Sequence, residues 1–231
     1  MVASYEIDQT DVIDFLRTFE DESVDLICTD PAYESLEKHR SVGTTTRLTN
    51  AWFPIFPNER FEELFEECYR VLAKQRHMYI MCDQETMFHI KPIGEAAGFK
   101  FWKPIVWDKL AMGTGYHYRA RTEFILFFEK RTARGGKGKG LQLNSKSICD
   151  ILQIKRLKKP KGVLYPTEKP VDLIKILIEQ STQPGQCVVD PFMGSGAVGE
   201  ASLVLGRDFF GCDIEDDAIT RATARLQNIE G

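Results

Sequence analysis

The sequence predicts an α/β fold with a single, doubly wound, mostly parallel β-sheet and helices on both of its faces. Three observations lead to this prediction. Short apolar runs typical of buried strands alternate with segments whose apolar residues repeat at helical spacing. The chain has 231 residues, enough for one well-buried domain, so we predict a single domain over residues 1–231. Its composition, 43% hydrophobic and 28% charged, is typical of a globular protein.

Composition also excludes several classes of protein. No stretch approaches the roughly 18 consecutive apolar residues of a transmembrane helix, and the acidic segment Met1–Asp14 is unlike a signal peptide. We therefore expect a cytoplasmic protein with no membrane partner. The six cysteines lack C-x-x-C spacing, which favours buried thiols over a zinc site or a disulfide framework, so we expect no metal.

The amino-terminal part of the chain predicts two strands that flank one helix. Tyr5–Asp11 predicts a short strand, and Val12–Phe19 carries apolar residues at helical spacing. The apolar run Val24–Cys28 is too short for a typical helix and predicts a buried strand. Residues 34–47 show no periodicity, which is typical of a functional or disordered loop.

The middle of the chain predicts two helices and three strands. The helical stripes and the intervening strand-like runs alternate as in a doubly wound sheet. In chain order the predicted elements are helix Phe61–Leu72, strand Met78–Cys82, helix Met87–Ala97 closed by Gly98, strand Phe101–Trp107 and strand Glu123–Phe128.

The carboxyl-terminal part predicts three helices and two strands, and it ends on a helix. Because no strand follows that helix, the next sheet position is open to the amino-terminal strand. The predicted elements are helix Val171–Ser181 opened by Pro170, strand Cys187–Val189, helix Ala197–Leu205, a strand from Phe209 and a helix that ends near Ile229.

Asp30, Pro31, Ala32 and Tyr33 follow the strand Val24–Cys28, at the strand end where open α/β sheets place their ligands. A carboxylate, two carbonyls and an aromatic face suit a planar group with an exocyclic amino group, such as adenine. Accepting both amine hydrogens makes the nitrogen more nucleophilic, and the Tyr33 ring would hold a flipped base. The alternative is an ordinary polar turn.

A glycine-rich turn, Asp190–Gly196, follows the apolar run Cys187–Val189 and precedes a helix-like segment. This layout is typical of a nucleotide-type cofactor site, where glycines let the backbone approach the ligand. The spacing matches neither the dinucleotide fingerprint nor the phosphate-binding loop of nucleotide hydrolases.

These motifs resemble those of the beta class of amino-group DNA methyltransferases. Asp30–Tyr33 is similar to the D-P-P-Y catalytic motif, Asp190–Gly196 to the S-adenosylmethionine motif, and Thr167–Pro170 to the T-x-K-P segment that precedes it. The motif order is that of this class, which is circularly permuted relative to other methyltransferases. The resemblance covers nearly the whole chain and implies a Rossmann-like fold and S-adenosylmethionine as cofactor.

The resemblance implies a role for each motif residue. Asp11 would contact the adenine of the cofactor, although it could equally cap the helix that follows, and Thr167 and Lys169 would bear on the methionine carboxylate. Asp213 stands at a strand end, positioned to accept the ribose hydroxyl hydrogens. The implied catalytic residues are Asp30, Pro31, Ala32 and Tyr33. The implied cofactor-binding residues are Asp11, Asp30, Thr167, Lys169, Asp190, Phe192, Gly194, Ser195, Gly196 and Asp213.

Ala32 stands where the resembling family usually has a second proline. The carbonyl acceptor is retained but the backbone loses rigidity, so we expect an altered rate or base tolerance rather than inactivity. Unchanged kinetics in Ala32→Pro would contradict this expectation.

Basic and aromatic loops are the candidates for DNA contact. The net charge is −4, but Lys130–Lys161 holds eleven Lys or Arg against one acid, and residues 131–165 form a basic insert where the resembling family carries its target-recognition region. Aromatics interleaved with arginines suit stacking on bases and pairing with phosphates. The candidate DNA-binding residues are Lys38, His39, Arg40, Arg47, Tyr116, His117, Tyr118, Arg119, Arg121, Lys137 and Lys139.

The sequence therefore predicts an enzyme that methylates the N6 amino group of a flipped adenine in duplex DNA by direct in-line transfer. N4-cytosine methylation poses the same chemical problem, and an RNA substrate is a further alternative, as is a protein or small-molecule amide. From a different class, the chain could be a non-catalytic DNA-binding subunit. A homodimer and a restriction endonuclease partner are compatible with the resemblance.

Overall fold

The computed structural model describes residues 3–36, 54–113, 117–131, 143–157 and 167–230. Within these residues, eight strands form one sheet in the order β1-β8-β7-β2-β3-β5-β4-β6. The strands are β1 Tyr5–Gln9, β2 Val24–Thr29, β3 Leu72–Cys82, β4 Lys100–Asp108, β5 Thr122–Glu129, β6 Ile151–Gln153, β7 Cys187–Asp190 and β8 Asp208–Asp213. The helices are α1 Val12–Arg17, α2 Phe61–Val71, α3 Gln84–Ala96, α4 Val171–Ser181, α5 Ala197–Val204 and α6 Asp216–Glu230, with a short 3₁₀ helix at Asn58–Arg60.

The sheet is mostly parallel, as predicted. Neighbouring strands from β1 to β3 pair in parallel, whereas β5 runs antiparallel to both β3 and β4. The amino-terminal strand β1 pairs with β8, which confirms its predicted place in the sheet. From β2 the chain continues to β3 on one side, and from β7 to β8 on the other. The strand order thus reverses between β2 and β7, the position where open α/β sheets bind ligands.

Helices cover both faces of the sheet, and a separate apolar layer lies between the sheet and the three helices on each face. The layer under α1, α2 and α3 includes Leu16, Phe65 and Phe128, and the Phe65 and Phe128 rings meet edge to face at 5.5 Å. The layer under α4, α5 and α6 is built around side chains such as Ile178 and Leu226. The doubly wound fold class is therefore confirmed.

Several boundaries differ from the sequence prediction. Helix α3 begins at Gln84 rather than Met87, because the Asp83 side chain accepts a hydrogen bond from the Thr86 N–H at 2.8 Å and caps the first turn. Strand β3 begins at Leu72 rather than Met78, since backbone pairing with β2 starts at Leu72, before the buried half of the strand.

Strand β6 lies in the insert 131–165 and was not predicted. It pairs in parallel with the edge strand β4, buries Leu152, and is followed by Ile154, whose carbonyl accepts the Trp107 indole N–H at 2.8 Å. A three-residue strand with only one buried side chain has no periodicity to read. This part of the insert is therefore packed against the sheet edge.

In the described ranges of the chain, no helix combines the length and the apolar character needed to cross a membrane.

Candidate active site

A cavity of about 440 Å³ lies at the carboxyl ends of β2 and β7, where the strand order reverses. Its volume falls within the roughly 300–1,000 Å³ of small-molecule sites. The wall brings together segments that are far apart in the sequence. Among its lining residues are Asp11, Asp30, Pro31, Ala32, Tyr33, Thr167, Lys169, Asp190, Phe192, Gly194, Ser195 and Asp213.

Asp190 joins the two principal motifs. Strands β2 and β7 pair in parallel through Leu26 and Val188, so the ends of both strands meet at one edge of the sheet. The Thr29 hydroxyl donates to Asp190 Oδ1 at 2.7 Å, and the Phe192 N–H donates to the same oxygen at 3.1 Å. Burial raises the pKa of Asp190 to about 7, so near neutral pH this carboxyl carries only part of a charge.

Lys169 pairs with the predicted catalytic carboxylate. Its ammonium donates a hydrogen bond to Asp30 Oδ2 and lies 3.6 Å from Glu123 Oε2. Burial raises the pKa of Asp30, and the Lys169 charge opposes that rise. Burial alone would lower the pKa of Lys169, but the two acids raise it above its ordinary value. The Lys169 ammonium, which we expected at the methionine carboxylate, thus lies beside the Asp30 carboxylate.

Tyr33 and Ala32 are held in place by the segment before the 3₁₀ helix. The Phe56 N–H donates to the Ala32 carbonyl at 2.7 Å, and Tyr33 and Phe56 form a parallel bridge. Because the Ala32 carbonyl already accepts this bond, the carbonyl of Pro31, a residue that also lines the cavity, is the better candidate for the second acceptor of an amine. The bridge supplies rigidity at the position where the family has a second proline.

The Tyr33 ring is mostly buried and lines the cavity. Burial raises the pKa of its phenol far above the ordinary value, so the side chain stays neutral. A neutral ring in the cavity wall can stack on a planar ligand, as predicted for the base.

Asp213 stands at the end of β8 and binds the glycine-rich turn. Its Oδ2 accepts the Gly194 N–H and its Oδ1 the Glu215 N–H, each at 3.0 Å. Each carboxylate oxygen keeps capacity for a further hydrogen bond, as ribose hydroxyls require. Gly196 is not part of the cavity wall. A Cβ there would lie 3.1 Å from Ala222 of α6 in a backbone with φ +78°, so this glycine permits close packing of the turn.

Asp11 acts as a helix cap, one of its two predicted roles. Its carboxylate accepts the Ile13 N–H at 2.9 Å at the start of α1, and both of its oxygens accept from the Arg60 guanidinium at 2.8 and 2.9 Å. The bond to Arg60 lowers the pKa of Asp11. Asp11 also lines the cavity, so the capping residue of α1 belongs to the cavity wall.

The charged and aromatic residues of the cavity wall that the sequence prediction did not assign to the site include Arg60, Trp107, Lys109 and Glu123. Arg60 lies in a 3₁₀ helix that has no sequence periodicity. The other three lie at the end of β4 and the start of β5, where Trp107 pairs directly with Glu123. A charged residue entering an otherwise apolar strand, as Glu123 does, was the available signal.

The predicted DNA-binding residues are only partly described. Arg121 forms a two-point ion pair with Asp108 at 2.5 and 2.7 Å, and the Arg119 Nε donates to the Gly113 carbonyl at 2.8 Å. Tyr118 is fully exposed. His117 is also exposed. Outside the described residues lie Lys38, His39, Arg40, Arg47, Tyr116, Lys137 and Lys139.

The cavity suits S-adenosylmethionine. This cofactor carries a sulfonium, an ammonium, a ribose diol and an adenine ring. The acids Asp11, Asp190 and Asp213 and apolar side chains such as Phe192 are among the residues that line the cavity. Carboxylates can hold the positive groups and the diol, and apolar side chains can hold the adenine.

Comparison with known proteins is consistent with this geometry. Residues 24–224 match the N6/N4 methyltransferase family model described as DNA methylase. Type II methyltransferase M.HhaII of Haemophilus parahaemolyticus is 26% identical over 207 residues, covering 87% of each chain. DNA adenine methyltransferase YhdJ of Escherichia coli K12 is 29% identical over 245 residues, covering 94% of this chain and 80% of that protein. The crystal structure of the M1.HpyAVI–SAM complex has a TM-score of 0.71 at 26% identity, and the match covers 96% of this chain and 100% of that one.

The family match spans most of the chain and includes both Asp30–Tyr33 and Asp190–Gly196. The similarity to a structure solved with S-adenosylmethionine extends over nearly the whole fold. The chain therefore belongs to the N6/N4 DNA methylase family, and it is an S-adenosylmethionine-dependent DNA methyltransferase.

Proposed function

We propose that this protein transfers the methyl group of S-adenosylmethionine to the N6 amino group of adenine in DNA, acting on a base that is flipped out of the duplex. The observation that supports this most directly is the position of Asp30 and Tyr33. Both line the cavity that also contains the Asp190–Ser195 turn and Asp213. An amino-group acceptor, a stacking ring and a cofactor loop thus share one cleft.

Each catalytic residue has a role that follows from its chemistry. The bound cofactor supplies a methyl group activated by its sulfonium. Asp30 and the Pro31 carbonyl accept the two hydrogens of the amino group and fix its orientation, and Tyr33 stacks on the base. Because no covalent bond to the protein is needed, positioning supplies much of the rate.

Adenine is the base that we favour over cytosine. The motif begins with Asp30, whereas the cytosine enzymes more often resemble S-P-P-Y, and YhdJ, a relative at 29% identity, is named as an adenine methyltransferase. Both amines need the same pair of acceptors, so the identity of the methylated nucleoside distinguishes the two bases. We propose that the exposed His117, Tyr118 and Arg119 contact the DNA beside the cavity.

The test is transfer of labelled methyl from S-adenosylmethionine to unmethylated duplex DNA, with the modified nucleoside identified by mass spectrometry. Asp30→Ala removes the acceptor, and Asp217→Ala is the matched control, because Asp217 is 64% exposed on α6. We expect N6-methyladenine from the wild type and the control, and none from Asp30→Ala.

Other products would contradict the proposal in distinct ways. N4-methylcytosine would replace adenine with cytosine as the target, and transfer only to single-stranded RNA would change the substrate class. Cofactor and DNA binding without any product would indicate a non-catalytic subunit.

A further inference from the structure

Glu123 is a second acidic partner of the Lys169 ammonium, beside Asp30. Its Oε2 is 3.6 Å from Lys169 Nζ, and its Oε1 accepts a hydrogen bond from Lys109 Nζ at 3.1 Å. The side chain is 29% exposed at the cavity wall. Glu123 therefore shares one lysine with the catalytic acid and has a second lysine of its own.

The β4–β5 hairpin places Glu123 in the wall of the cavity that Asp30 also lines. Strand β5 is apolar from Phe124 to Phe128, so an acid in it needs compensation. Trp107 pairs with Glu123 across the β4–β5 ladder, and Lys109 follows β4 directly. The hairpin thus delivers Glu123 and Lys109 together to the cavity that contains Asp30.

The four groups form a chain of alternating charge: Asp30, Lys169, Glu123 and Lys109. A carboxylate that is strongly engaged by an ammonium has less negative charge to offer another donor. If Glu123 were neutral, Asp30 would be the one remaining acid among these four groups to pair with Lys169. Glu123 thus controls how strongly Lys169 engages the catalytic carboxylate.

We propose that Glu123 is a positioning residue for methyl transfer, which shares the Lys169 ammonium with Asp30 and so leaves Asp30 able to accept the substrate amino group. The inference rests on the proposed role of Asp30 as amine acceptor, and it holds for either base. Glu123 itself touches no reacting atom.

The pH dependence gives this role a distinct signature. Besides Lys169 and Glu123, the titratable groups around Asp30 are Tyr33, Cys28, Cys82 and Asp190. The Glu123 charge contributes to raising the pKa of Asp30, whereas the Lys169 charge lowers it. Removing the Glu123 charge therefore lowers the pKa of Asp30, and the acid limb of kcat moves to lower pH. A variant that is merely disordered loses rate without that shift.

The experiment compares Glu123→Gln, Glu123→Asp and wild type in kcat between pH 4 and 9. Glu123→Gln should lower kcat about tenfold and move its acid limb down by roughly one pH unit, with the affinity for S-adenosylmethionine little changed. Glu123→Asp keeps the charge and should keep the limb. Glu95→Gln is the matched control, because Glu95 is a 42% exposed acid that pairs with Lys91 on the surface of α3.

A second measurement separates this inference from the proposed function. An NMR titration of ¹³C-carboxyl-labelled aspartate, with Asp30 assigned through Asp30→Asn, should show a lower pKa for Asp30 in Glu123→Gln than in wild type. An unchanged Asp30 pKa, or an unchanged acid limb, overturns the role of Glu123. Absence of methyl transfer by the wild type overturns the proposed function, while the titration still decides the coupling.

Discussion

Replacing Asp190 with Asn should remove a pH dependence from the stability of the free enzyme. Burial raises the pKa of Asp190 from its ordinary value near 3.8 to about 7. Between these values the folded protein binds a proton that the unfolded chain lacks, so stability falls as pH rises. This pKa difference of about 3 units, at about 1.4 kcal/mol per unit, corresponds to roughly 4 kcal/mol in the free energy of unfolding. That stabilisation is fully present below pH 4 and is lost above pH 7.

Asn suits this site because its Oδ1 can keep the bonds from the Thr29 hydroxyl and the Phe192 N–H. Since Asn does not ionise, Asp190→Asn should lack this loss of stability between pH 5 and pH 8. The assay is urea unfolding at unit pH intervals without cofactor, with Asp217→Asn as control, since Asp217 is 64% exposed. Equal pH slopes for wild type and Asp190→Asn would refute the assignment.

Ionisation of Asp190 should also affect the affinity of the protein for S-adenosylmethionine. S-adenosylmethionine brings positive charge to a cavity that Asp190 lines, and only the ionised carboxylate attracts it. Binding measured by calorimetry should therefore tighten as pH rises through 7 in the wild type. In Asp190→Asn this part of the pH dependence should be missing.

Three further substitutions test other contacts. Tyr33→Ala should weaken flipped-base binding by about 1–3 kcal/mol, and Tyr33→Phe, which keeps the ring, by much less; equal losses in DNA affinity would argue against stacking. Arg225→Met should lower the free energy of unfolding by about 3 kcal/mol and weaken cofactor binding. The reason is that the Arg225 guanidinium pairs with the buried Glu168 carboxylate at 2.5 Å and donates to the Ser195 carbonyl of the glycine-rich turn at 2.9 Å. Unchanged stability in chemical unfolding would contradict this. Gly199→Ala should cost about 1–3 kcal/mol, since a Cβ would lie 2.8 Å from the buried Phe209 ring; an unchanged Tm would show that the ring moves aside.

Local signals predicted most of the fold. The helical stripe of α2 and the apolar run of β2 lie within single elements, so periodicity was sufficient to find them. Helix α4, Val171–Ser181, has its predicted bounds, because Pro170 suits the start of a helix. Strand β6 was missed, since its only support is pairing with β4, which comes from a distant part of the chain.

The candidate site was predictable to the extent that its residues lie at strand ends. Asp30 directly follows β2, and Asp190 and Asp213 are the last residues of β7 and β8. The structure brings all three into one cavity. Partners across the cleft left no such signal. Glu123 meets Lys169, and Arg60 meets Asp11, only because separate elements converge there.

The sheet explains why the order of motifs along the chain does not disturb the site. Parallel strands end at one edge, so a catalytic motif after β2 and a cofactor motif after β7 meet regardless of which comes first. The buried bond between the Thr29 hydroxyl and Asp190 then joins them across a strand spacing of about 4.8 Å. The pairing of β2 with β7 thus fixes the separation between Asp30 and the Asp190–Gly196 turn. Lys169 comes from a loop and Glu123 from a hairpin. Substitutions at these two positions can therefore change the charge beside Asp30 without altering the pairing of β2 with β7.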